Sequence, residues 1–145
     1  MRVILLSLIF LGSFTAVHAA DHVVKVLPLL LDTQGRIAKS PSLFERDAYQ
    51  AYLRQHTNEI SGQRYDVQCA TGKNLKLRLE LRGVGEKNLP KIKTIEADVA
   101  AGVIENWTKI SLTGEDYKSF GAITAWRATL WDGETQLSEK KSFLW

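Results

Sequence analysis

Residues 74–84 read NLKLRLELRGV, and this stretch decides the fold. Leu75, Leu77, Leu79 and Leu81 alternate with Lys76, Arg78, Glu80 and Arg82. A helix would scatter the four leucines around its circumference. A strand puts all four on one face and the four charges on the other. The segment therefore predicts a strand with one face on a core and one in water.

The same period extends outward. Tyr65, Val67 and Cys69 alternate with Asp66, Gln68 and Ala70, so Cys69 is expected on the inward face. Residues 23–31 are more continuously apolar and contain Pro28. Proline cannot donate to a ladder, so this is an edge strand or one that breaks and switches sheets. Downstream, a short loop at 85–88 predicts a hairpin from the leucine strand to a strand over 89–99. Further strands follow over 107–112, 122–131 and 136–144, with a glycine-bounded helical turn at 114–121. Asp132-Gly133 is the strongest hairpin signal in the chain. One complication is that a tight turn there places Trp126 opposite Glu139. A bulge within 138–140 would relieve it.

One helix interrupts the strands. Ser42 and Glu45 have capping-box spacing, and Phe44, Ala48, Ala51, Tyr52 and Gln55 follow helical spacing to an expected end near His56. Its apolar face is modest, so it is expected across an end or edge of the sheets. About seven short strands with regular turns make a mainly β chain. The expected fold is an antiparallel two-layer β-sandwich, immunoglobulin-like, with one short helix. Its core should include Val67, Cys69, the four leucines, Trp126 and Leu130.

Residues 1–19 carry an address. Arg2 precedes an apolar run from Val3 to Leu11, and Val17-His18-Ala19 presents small residues at the positions a signal peptidase reads. The expected organisation is a signal peptide over 1–19 and a single domain over 20–145, secreted or periplasmic. No later stretch approaches ~20 apolar residues, so no transmembrane segment is expected in the mature chain. Net charge is only +3 in 145 residues, which argues against nucleic acid as partner. Cys69 is the only cysteine, so no internal disulfide can form, and a small buried apolar role is expected for it.

Catalytic constellations are not visible. His22 and His56 with one cysteine fit no zinc spacing, and no cofactor or metal is expected. Carboxylates such as Glu96, Asp98, Glu115, Asp116 and Asp132 are plentiful, but solvated charges on strands and turns explain them. A non-catalytic exported binding or interaction module is therefore expected, with a protein as the leading partner. One alternative is a carbohydrate-binding module in which Trp131 stacks on sugar and Asp132 and Gln136 hold hydroxyls. Another surface is basic: Lys76, Arg78 and Arg82, joined by Lys91 and Lys93 of the partner strand, could meet an anionic cell-envelope polymer. A small secreted hydrolase is the remaining alternative. Asn106-Trp107-Thr108 fits the glycosylation acceptor pattern.

The stretches LFERDAYQAYLR (43–54) and AWRATLWDG through KKSFLW (125–145) resemble small exported bacterial β-sandwich proteins of unassigned function. The resemblance implies an envelope address and a sandwich fold. It transfers no activity and no site residues.

Overall fold

The structure is a computed structural model and describes residues 20–85, 88–102, 104 and 106–145. The expected signal peptide, and the middle of the expected loop at 85–88, lie outside the described residues.

Seven strands form two antiparallel sheets. β1 (His22–Asp32), β2 (Ile60–Ala70) and β5 (Asn106–Thr113) make one, in the order β1-β2-β5. β3 (Leu75–Val84), β4 (Pro90–Val99), β6 (Ala122–Asp132) and β7 (Thr135–Lys141) make the other, in the order β4-β3-β6-β7. This is the strand order of an immunoglobulin-like sandwich in which the fourth strand extends the sheet of the third, sixth and seventh. Helix α1 (Leu43–Gln55), followed by a single 3-10 turn at Thr57–Glu59, links β1 to β2, and α2 (Gly114–Phe120) links β5 to β6.

The leucine stretch behaves as its period dictates. Leu77, Leu79 and Leu81 are fully buried and Leu75 nearly so, packed with Tyr65, Val67, Cys69, Ile110, Leu112, Ala128 and Leu130. Each such side chain contributes roughly 1.5–3 kcal/mol through burial. Trp126 is only half buried; it packs against this core edge-on to Tyr65, with ring centroids 6.4 Å apart. Gly83 is obligatory because a Cβ there would sit 2.5 Å from the Phe120 ring, which closes the core from α2.

The β6–β7 hairpin turns through Gly133 and Glu134. Gly133 alone of the pair has positive φ, at 57°, the pattern of a type II′ turn. The bulge exists, but it lies at Leu137, one residue before the expected window. With this register Trp126 faces Ser142 rather than Glu139. Ser142 donates its N–H to the Trp126 carbonyl (2.9 Å), and Trp126 N–H donates to Ser142 Oγ (3.0 Å).

Helix α1 lies at an edge, as its weak apolar face implies. Ser42 caps it by accepting from Glu45 N–H (3.4 Å). The reciprocal half of the capping box is absent: the Glu45 carboxylate accepts from the Ser40 hydroxyl instead. Leu53 is fully buried, and Leu29, Leu31 and Tyr49 nearly so, outside the main core cluster and where α1 packs on β1.

Candidate functional site

The outer face of the four-stranded sheet carries most of the residues singled out from sequence. Register pairs Lys76 with Asp98 and Arg78 with Glu96 across β3–β4, and Glu80 with Arg127 across β3–β6. Each pair closes as an ion pair, at 2.6, 2.9 and 2.7 Å. The basic stripe is therefore a neutralised ladder of alternating sign. Lys91 and Lys93 do not join it. They oppose Gly83 and Leu81, so strand parity turns them to the other face. There Lys93 pairs with Asp116 (2.7 Å) and Lys91 donates to the Ser119 carbonyl, tying β4 to α2. Arg82 stays on the outer face opposite Ile92 and stacks on Trp145, 4.0 Å from the ring centroid, with Arg127 4.8 Å from the same ring.

Trp131 lies half buried at the far end of this face. The Arg78 guanidinium stacks on its ring (4.5 Å), and its Nε1–H donates to Thr129 Oγ1 (2.8 Å). A shallow hollow of about 370 Å³ beside it is lined by Asn74, Lys76, Arg78, Glu96, Asp98 and Trp131 among others. Neither Asp132 nor Gln136 lines this hollow. Asp132 is ion-paired with Lys73, and exposed Gln136 lies across the ladder from Trp131. Glu96 and Asp98 share the hollow, but each is exposed and already holds a cation of β3.

The outer face of the three-stranded sheet is different. Cross-strand rows run Lys25–Gln68–Trp107, Leu27–Asp66–Lys109 and Leu29–Arg64–Ser111. Arg64 pairs with Asp66 (2.7 Å), but Lys25 and Lys109 have no ion-pair or ring partner among the described residues. Neither does Arg54 of α1, which shares a hollow of about 380 Å³ with Lys25, Leu27, Arg46 and Asp47. Trp107 is 45% exposed, and it alone among the four tryptophans carries no cation or aromatic ring of the described residues against its indole. Strand parity could have flagged Trp107 as outward. The freedom of Lys25, Arg54 and Lys109 depends on long-range register and could not be read locally.

The strand edges differ as strongly as the faces. On the β1–β7 flank, Leu30 N–H donates to Gln50 Oε1 (2.7 Å), and Gln50 Nε2 donates to the carbonyls of Leu30 and Ile37 (2.9 Å each). Val23 N–H donates to Ser138 Oγ (3.1 Å). Pro28 shares the parity of Leu30, so its missing N–H falls on the outer edge of β1, where a proline costs no ladder bond.

The β4–β5 flank has no equivalent. Among the described residues, no side chain of another element bonds the backbone of β4 or β5. The direction of the β5 groups follows from Gln50. Leu30 turns its backbone groups away from β2, so its partner Gln63 turns its own toward β5. Gln63 opposes Leu112, so Leu112, Ile110 and Thr108 point inward to β2. Trp107, Lys109 and Ser111 then present N–H and C=O to the outside.

Four further features are structural. Asp32 is buried and accepts from the N–H groups of Gln34 and Arg36 (2.9 Å each), from Arg36 Nε (2.9 Å) and from the Tyr49 hydroxyl (2.8 Å). Burial works to raise its pKa, but these hydrogen bonds outweigh it and hold the carboxyl at about 2. A cleft of about 350 Å³ on α1 is floored by Tyr49 and Tyr52, with Lys39 Nζ 4.9 Å above the Tyr49 ring. Cys69 is fully buried, and burial pushes its thiol up to about 11, which makes it unreactive as a nucleophile. Asn106 donates its amide to the Ala100 carbonyl (3.0 Å).

Among the described residues, no group of three His, Cys, Asp or Glu side chains is placed to hold a metal ion, and no helix is long and apolar enough to cross a membrane. No protein-family model, no curated protein and no solved structure matches this chain.

Proposed function

We propose that this chain is an exported, non-catalytic binding module that engages a protein partner by adding the partner's extended segment to the outer edge of β5. The export rests on the signal-like residues 1–19. The binding mode rests on one observation: the β1 edge is occupied by Gln50, while the backbone groups of Trp107, Lys109 and Ser111 point away from β2 with no hydrogen-bond partner among the described residues. An unpaired edge on a rigid sheet gives affinity through main-chain hydrogen bonds, and the flanking side chains select the sequence.

The test exploits proline. Ser111→Pro removes an outward N–H and spares the ladder to β2, as Pro28 does on β1. Peptides selected from a displayed random library should bind the native chain in extended form. Ser111→Pro should abolish that binding while Ser111→Ala retains it. Selected peptides that bind Ser111→Pro as tightly as the native chain would reject strand addition at this edge.

A further inference from the structure

We infer that the outer face of the three-stranded sheet is a second binding surface, and that its ligand is an acidic polysaccharide. This surface adjoins the β5 edge and uses the side chains of Trp107 and Lys109 rather than their backbone groups, so it does not depend on strand addition there. Trp107 supplies the stacking platform, and Lys25, Lys109 and Arg54 supply the charge.

On the four-stranded sheet every outward cation of β3 is matched, by Asp98, by Glu96 or by the Trp145 ring. Trp131 and Trp145 are covered by guanidinium groups. On the three-stranded sheet and the adjoining α1, one half-exposed indole and three cations have no partner among the described residues. The carboxylates there, Asp66 and Asp47, are already held by Arg64 and Arg46. The face therefore has an uncompensated positive field around an open aromatic ring.

Geometry then selects the ligand. Lys25 and Trp107 stand in the same row, separated by β2. At ~4.8 Å per strand their backbones are about 10 Å apart, within reach of linked sugar rings. Lys109 lies one row step along on the same strand as Trp107, two residues on, so it shares the indole's side of the sheet. A sugar's apolar face needs one indole, and its carboxylates need cations beside that indole. A protein interface of ordinary size needs a contiguous apolar centre. The rows of this face offer none: Trp107 is the only large exposed apolar residue among them, and Leu27 is half buried. The charge complementarity thus favours an acidic glycan over a second protein.

Affinity electrophoresis and calorimetry with a polyuronate, a neutral glucan of similar length and an oligodeoxynucleotide test this. The polyuronate should bind, the glucan should not, and affinity should fall steeply between about 50 and 300 mM salt as screening shortens. Trp107→Ala should weaken binding at least tenfold and Trp107→Phe should recover part of it. Lys25→Glu and Lys109→Glu should each weaken it. Ser111→Pro and Trp131→Ala should leave it unchanged. Lys25, Trp107, Lys109 and Ser111 are exposed and Trp131 is half buried, so thermal midpoints measured on every variant separate lost binding from lost fold. No polyuronate binding at low salt would overturn the inference. So would equal affinity for the glucan or the oligonucleotide, or a loss on Trp131→Ala with none on Trp107→Ala.

Discussion

Along the β1–β7 flank, the amide of Gln50 fills both backbone groups of Leu30 and the hydroxyl of Ser138 takes the N–H of Val23. Along the β4–β5 flank, no side chain of another element bonds the backbone of either strand among the described residues; the side chains of Lys91 and Lys93 reach out to α2 instead. Both flanks expose the same kind of backbone. Exposed edges recruit other strands unless something blunts them. That one flank carries a buried glutamine for this purpose, at 3% exposure, shows that closure is available to this fold. The open flank is therefore where we propose that a partner docks.

The largest effect expected from breaking this contrast is on β5 itself. Ile110 turns its N–H to β2, so Ile110→Pro should remove a ladder bond and cost about 3 kcal/mol or more. Ser111→Pro, one residue later, should cost well under half as much. Denaturant melts of the two variants check the parity assignment, and equal losses would contradict it.

Gln50→Ala attacks the closed flank. It leaves Leu30 N–H, Leu30 C=O and Ile37 C=O without their partner, and should cost about 2–3 kcal/mol. It should also convert β1 into an open edge. Concentration-dependent association, read by sedimentation, is the expected outcome for Gln50→Ala at concentrations where the native chain stays in one species.

A smaller effect is set by pH. Asp32 holds the turn between β1 and α1, and its folded pKa lies below the ordinary value of 3.8. Its contribution is therefore complete above the unfolded value and is lost as pH falls from about 4 toward 2. Thermal melts between pH 5 and 2 should show this loss. Asp32→Asn should be less stable at neutral pH and flatter across that window.

Least of all, Lys76→Ala should leave the thermal midpoint essentially unchanged, because the Lys76–Asp98 pair is exposed and solvent-screened.

The strands and the helix were legible because local period carries them. Four leucines in alternation fix a face, and Ser42 with a run of helical spacing fixes α1. What local reading missed depended on pairing between distant segments. Lys91 and Lys93 read as part of a basic stripe until register set them opposite Gly83 and Leu81. Arg78 and Glu96 are eighteen residues apart, so their pairing, and the covering of Trp131 by Arg78, had no local signature. The bulge was predictable from the clash of Trp126 with Glu139, but its position was set by the II′ turn at Gly133. Gln50 carried no signal at all: a glutamine on a helix is ordinarily a solvated residue.

The most direct test is residue-resolved amide hydrogen exchange of the free chain. Edge amides normally exchange fast, so the contrast between two edges of one sheet isolates the effect of Gln50. Leu30 should exchange slowly although β1 is an edge strand, Ile110 and Leu112 should exchange slowly, and Lys109 and Ser111 should exchange fast. Protection of Lys109 and Ser111 to the level of Ile110 and Leu112, with Leu30 exchanging freely, would contradict this contrast.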